Sequence, residues 1–261
     1  MQKNIRNLSL NYQTFGKGEF LLILHGWGAA QESYQPMIDF LAQTYRVVWL
    51  DLPGFGLSDE PPKPWTVDSY TDLVIDFMTE LGIKQATLLG HSFGGRIIAK
   101  LFNRPNLPFE IKNVILFDSA GIKSKKSLLN YLKLFVVKAG KILLKIPLLG
   151  DLFEDQIKFL FEHQASSDYL AASEIMRRTL SLVINEDLTK YMTQIDRPSL
   201  LIWGDNDDAT PVSDGELMAK LIPQSELHII PQTGHYPFVD NWAAVQAILH
   251  KWLQIKPEEK Q

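Results

Sequence analysis

Thr87-Leu88-Leu89-Gly90-His91-Ser92-Phe93-Gly94-Gly95-Arg96, TLLGHSFGGR, sets a serine between two glycines directly after an apolar run. The run reads as a strand, and the residues beyond it, through Ile97 and Leu101, keep helical spacing, so strand must become helix within a few residues. Gly90 and Gly94 fall where a Cβ would crowd so tight a reversal, and glycine accepts the backbone angles it can demand. Ser92 then stands at the amino end of the helix, where free N–H groups and the helix dipole favour developing negative charge. Taken alone, the same serine is equally a helix cap.

Working outward, apolar runs of strand length recur, each closed by a turn signal: FLLIL at 20–24, RVVWL at 46–50, ATLLG at 86–90, NVILF at 113–117, SLLIW at 199–203 and ELHII at 226–230. They are continuous rather than alternating, as strands buried on both faces of a parallel sheet are. Helical spacing fills 33–43, 67–81, 95–103, 213–221 and 240–253. The alternation predicts an α/β fold with a mostly parallel, doubly wound sheet, in which ligands gather beyond the carboxyl ends of the strands. From about 121 to 193 the alternation stops and the chain reads as mostly helical. The expected organisation is a core domain of 1–120 and 194–261 with a helical cap, 121–193, inserted in it.

Composition narrows the partners. The 261 residues carry 26 Lys and Arg against 30 Asp and Glu, a net charge of −4, which offers no overall cationic field for nucleic acid. Cysteine is absent, which excludes disulfides, thiolate metal sites and a cysteine nucleophile. No His and carboxylate cluster keeps metal-ligand spacing, and no G-x-x-x-x-G-K-[ST] loop is present, so neither metal nor nucleotide cofactor is expected. The amino-terminal MQKNIRNLSLNYQTFGKG shows no apolar run of the export-signal kind, and no run reaches the roughly 18 apolar residues of a membrane span. A cytoplasmic protein is the expectation. One basic stretch, Lys123 to Lys145, places seven lysines among apolar residues. It reads as the solvated face of a cap helix, with contact to anionic lipid as the alternative.

A serine hydroxyl needs a base to take its proton and a carboxylate to orient that base. His235, in the loop after the last strand run, can reach the sheet's carboxyl edge. His228 lies in a strand, His250 on the terminal helix and His163 in the insertion. For the acid, Asp205, Asp207 and Asp208 follow the strand ending at Trp203, giving the chain order Ser, Asp, His. Asp118, which also ends a strand, is the rival. An oxyanion would be held by backbone N–H groups, each worth about 2.7–4 kcal/mol of barrier. The Phe93 amide is one candidate, and the Trp27 amide in His25-Gly26-Trp27-Gly28 is the other.

With these pieces in place the chain resembles the α/β-hydrolase family over nearly all its length outside the insertion. His25-Gly26-Trp27-Gly28, Asp51-Leu52-Pro53-Gly54-Phe55-Gly56-Leu57-Ser58-Asp59, Gly90-His91-Ser92-Phe93-Gly94-Gly95, Gly204-Asp205-Asn206-Asp207 with Pro211, and Gly234-His235 occur in the family's order. The resemblance implies Ser92 as nucleophile, His235 as base, Asp207 as orienting acid, and the Trp27 and Phe93 amides as oxyanion hole. His25, Gly26, His91 and Tyr236 are expected to line the substrate site, and DLPGFGLSD to be architectural. Relatives with an aspartate at the elbow are disfavoured by Ser92.

The implied activity is hydrolysis of carboxylic esters, thioesters among them, of small to medium acyl substrates, with no cofactor. Two alternatives stay open. One is hydrolysis of carbon–carbon bonds in ring-fission diketones. The other is a receptor-like member that holds a ligand with little turnover.

Overall fold

The computed structural model describes residues 1–123 and 172–254. The chain divides into two compact units, Met1–Lys123 with Arg178–Gln261, and Ser124–Arg177. Of the smaller unit only 172–177 are described. The expected 121–193 insertion therefore lies mainly outside the described residues, as do His163 and the basic stretch beyond Lys123, while 121–123 and 178–193 belong with the larger unit.

The larger unit is built on one eight-stranded sheet in the order β1-β2-β4-β3-β5-β6-β7-β8. The strands are β1 (Gln2–Ile5), β2 (Leu8–Phe15), β3 (Glu19–Leu24), β4 (Tyr45–Leu50), β5 (Gln85–His91), β6 (Glu110–Phe117), β7 (Ser199–Gly204) and β8 (Ser225–Ile230). From β4 to β8 all neighbours are parallel. The six apolar runs are the six parallel strands, as the pattern predicts. The antiparallel hairpin β1–β2 is an addition to it. Its turn is Arg6-Asn7, both at positive φ, which matches the right-handed twist of the strands it joins.

Successive strand residues point to opposite faces, and each face has its own core. Leu22, Leu24, Val48, Leu50, Leu88, Val114, Leu116, Leu201 and Trp203 pack on one side against α2 (Val67–Glu80) and α3 (Phe93–Leu101). Leu21, Ile23, Val47, Trp49, Leu89, Ile115, Phe117, Leu200 and Ile202 pack on the other with α1 (Gln35–Leu41) and the C-terminal helix. The helix α2 shows how the sequence sets this. Thr66 caps it by accepting from the Ser69 amide, a bond worth about 1 kcal/mol. Val67, Tyr70, Leu73, Val74 and Phe77 then keep the 3–4 spacing that turns one apolar stripe to the sheet. Among the described residues the further α-helices are α4 (Glu174–Asn185), α5 (Thr189–Met192), α6 (Val212–Leu221), α7 (Pro237–Asp240) and α8 (Trp242–Trp252).

Register decides where chemistry can occur. Leu24 lies opposite Leu50 and Gly90, His91 opposite Phe117, Phe117 opposite Ile202, and Gly204 opposite Ile230. The strands end in line, so His25, Asp51, Ser92, Asp118, the Asp205–Asp208 segment and the His235 loop emerge at one edge of the sheet.

Candidate active site

Ser92 is the junction between β5 and α3, with φ 50° and ψ −110°. Non-glycine residues rarely hold such a conformation, which costs on the order of 1–3 kcal/mol and persists only where the surroundings enforce it. Here the Ser92 amide donates to Phe117 O at 3.0 Å, and its carbonyl accepts from Gly95 N and Ala120 N at 3.1 and 3.0 Å. The flanking glycines are there for the crowding expected of them and not for special backbone angles. Neither has positive φ, and both are needed for closeness: a Cβ on Gly94 would sit 1.9 Å from Leu24 O, and one on Gly90 would sit 2.8 Å from Gly95 N. The strain falls on the serine, whose side chain stays partly accessible.

Phe93 is the first residue of α3, so its N–H has no carbonyl within the helix to bond. The Trp27 ring meets the Phe93 ring edge-on at 5.5 Å and the Phe55 ring at 4.8 Å, which draws the His25–Gly28 loop against the elbow. Gly26 completes the approach, since a Cβ there would be 2.6 Å from His91 Nδ1 and 3.3 Å from Ser92 Cβ. Among the described residues, no hydrogen bond engages the Trp27 or Phe93 N–H.

Of the three aspartates after β7, Asp207 is the buried one. Its Oδ1 accepts from Ala209 N at 2.8 Å and Thr210 N at 3.0 Å. Its Oδ2 accepts from Thr210 Oγ1 at 2.6 Å and lies 2.7 Å from His235 Nδ1. Burial pushes this carboxyl up, but the bonds from His235 and Thr210 outweigh it and take the group down to about 2. Asp207 is thus a fixed negative charge, and the bond at Nδ1 leaves His235 Nε2 free of that partner. Asp205 and Asp208 are exposed. Asp205 accepts from Thr233 N at 3.2 Å and so ties the two loops together.

Two of the expected substrate contacts lie elsewhere. His91 is fully buried, with Nε2 donating to His235 O at 2.8 Å and Nδ1 accepting from Tyr34 Oη at 2.7 Å. His25 is buried too, donating from Nδ1 to Gly26 O at 2.7 Å and accepting from Leu52 N at 3.0 Å. Both ring nitrogens of each imidazole are therefore engaged within the protein, and none is left to hydrogen-bond a substrate. Gly26 is buried beneath the loop, while Tyr236 remains partly exposed. Burial lowers both histidines, His91 to about 3 with the neighbouring His235 adding to the effect. Tyr34 and Thr210 are residues that sequence reading did not single out. Only their position, one after the glycine loop and one just past the chosen aspartate, hints at them.

His228 lies 2.6 Å from Glu226 on the sheet edge, and His250 is exposed on α8. In the DLPGFGLSD loop the Asp51 carboxylate accepts from Asn11 Nδ2, Trp49 Nε1 and Leu57 N at 2.8, 2.6 and 3.0 Å, an architectural use of the motif.

Strand order and the serine turn together define an α/β fold of the hydrolase type. Residues 21–248 match the model of the alpha/beta hydrolase family, and the chain belongs to that family. It is 27% identical over 264 residues to the pimeloyl-[acyl-carrier protein] methyl ester esterase of Shewanella woodyi, covering 94% of this chain and 98% of that one. It is 25% identical over 255 residues to the 2-hydroxy-6-oxo-6-(2'-aminophenyl)hexa-2,4-dienoic acid hydrolase of Metapseudomonas resinovorans, covering 91% and 85%. Among solved structures, a bacterial membrane phospholipase A superposes with a TM-score of 0.75 at 26% identity, over 97% of this chain and 85% of that one. Among the described residues no helix is long and apolar enough to cross a membrane.

Proposed function

We propose that this protein is a serine hydrolase of carboxylic esters, thioesters included, with Ser92 as nucleophile, His235 as general base and Asp207 as orienting acid. The observation that carries the reading is the 2.7 Å contact of His235 Nδ1 with a buried, four-times hydrogen-bonded Asp207, at the same sheet edge as the strained Ser92. An aspartate bond at Nδ1 fixes the tautomer that leaves Nε2 able to accept a proton. Among the described residues the Ser92 hydroxyl makes no hydrogen bond, and in unliganded hydrolases the serine–imidazole contact commonly tightens only with substrate.

In the forward reaction Ser92 Oγ attacks the acyl carbon as His235 Nε2 takes its proton. The oxyanion is received by the Phe93 and Trp27 amides. His235 then protonates the leaving alcohol, and a water deprotonated by the same ring releases the acid from Ser92.

The test is Ser92→Ala assayed on a series of p-nitrophenyl esters, with fluorophosphonate labelling of the wild type. The expected outcome is labelling at Ser92 and a loss of at least ~10³-fold in kcat/KM. Unlabelled wild type or undiminished turnover in the variant would refute the assignment. The similarity to the hexadienoic acid hydrolase keeps carbon–carbon cleavage as second reading. Ring-fission diketones turned over faster than any ester would place it first.

A further inference from the structure

Asp118 follows β6 directly, holds φ 40°, and is completely buried. Asp and Asn are the non-glycine side chains that best accept such a backbone. Its contacts staple the segment that carries Asp207. Asp118 N donates to Ile202 O at 3.0 Å, its Oδ1 accepts from Gly204 N at 2.9 Å, and its carbonyl lies 2.9 Å from Thr210 Oγ1. Both ends of the 204–210 loop are thereby fixed to β6.

The second oxygen behaves differently. Asp118 Oδ2 is buried and has no hydrogen-bond partner among the described residues, and no Lys or Arg pairs with it there. The titratable groups around it are Asp207 from the β7 loop, His235 from the β8 loop, Asp240 from α7 and Tyr34 ahead of α1. Acceptor atoms of Asp118, Asp207 and His235 all lie within 4.8 Å of one another. Two ionised carboxylates at that separation, one with a bare desolvated oxygen, would face both mutual repulsion and an unrelieved desolvation penalty. Asp207 has four donors and Asp118 has one, so the proton belongs on Asp118.

Resting on the hydrolase reading above, we propose that Asp118 is a positioning residue that enters the site as a neutral carboxylic acid, protonated on Oδ2. Its side-chain Oδ1 accepts from Gly204 N while Asp207 remains the sole negative charge beside His235. In agreement, burial pushes the Asp118 carboxyl up to about 9, against the bond from Gly204 and with the Asp207 charge adding to the rise. An ordinary Asp at this place would be a second charge. The burial makes it a neutral strut.

Infrared spectra at pH 7 in heavy water, with 13C-carboxyl aspartate in the full chain, test the protonation without using turnover. A label-sensitive carboxylic-acid band that persists in Ser92→Ala and disappears in Asp118→Asn is expected. No such band, or one that survives Asp118→Asn, overturns the proposal even if Ser92 proves to be the nucleophile. Kinetics supply the second arm. Asp118→Asn should leave the midpoint of the acidic limb of kcat/KM within about 0.3 pH unit of wild type. Loss of an ionised carboxylate so close to the ring would instead move it to lower pH by more than about 1 unit. Asp118→Ala should lower kcat about tenfold with KM within about twofold, and Asn should restore most of that loss. An Asp118→Ala enzyme with full kcat would overturn the positioning role. If that variant does not fold, the infrared and Asn measurements decide.

Discussion

Acidification from pH 7 to 4 is predicted to destabilise this protein through its buried imidazoles, and the part due to His91 can be isolated. In the unfolded chain this ring takes up a proton near 6.5. In the folded protein it does so only near 3, because burial and the adjacent His235 outweigh the bond to the His235 carbonyl. The folded-state value is depressed, so the stability it represents is complete above about 6.5 and drains away as pH falls toward 3. At 1.36 kcal/mol per unit, the group contributes about 3 kcal/mol of pH-dependent loss at pH 4 and about 5 kcal/mol once the lower value is reached. His91→Gln keeps a neutral donor and acceptor on a side chain of similar reach and removes the titration. Urea unfolding of wild type and variant at half-unit steps from pH 7.5 to 4 isolates the term, because His25 and the carboxylates titrate in both. The difference between the two stability curves should open below about 6.5 with a slope approaching 1.36 kcal/mol per unit. Parallel curves across that window would show that His91 is not the buried neutral group its hydrogen bonds describe.

The remaining expectations concern the site and its frame. Asp207→Asn should lower kcat by about 10⁴-fold in the ester assay while leaving KM nearly unchanged, since an amide in that place holds His235 in the wrong tautomer; a drop below tenfold would move the orienting role away from Asp207. Gly94→Ala puts a methyl 1.9 Å from Leu24 O, a clash with a backbone carbonyl that cannot swing aside as a flexible side chain could. It should destabilise the fold by more than about 2 kcal/mol, read as a fall in Tm or as loss of soluble protein. A fully stable variant would mean that the elbow and β3 do not lie as close as described.

Much of this molecule is legible along the chain because its strands are buried on both faces. Continuous runs such as Leu21–Leu24 and Leu200–Trp203 leave little choice but a parallel sheet, and their ends mark where the candidate site residues emerge. The hairpin β1–β2 is harder to see, since β1 is a short edge strand and LSLNYQTF is a segment of mixed burial rather than a continuous apolar run. Asp207 could be picked from its neighbours only by the family pattern. In three dimensions the distinction is physical, since Thr210 and the Ala209 amide turn toward it and leave Asp205 and Asp208 in water. Burial of His25 and His91 is what the chain does not reveal. A histidine next to a functional motif reads as a ligand contact, whereas partners fixed by tertiary structure, Tyr34 and Leu52, claim both rings.

The bond from His91 Nε2 to the His235 carbonyl joins positions 144 residues apart. A chain that has built the serine turn but has not yet docked its last strand lacks this hold on His235, the proposed base. Reactivity toward a phosphonate probe during refolding is therefore a clock for that final docking step, and is expected to lag behind the signals of helix and core formation.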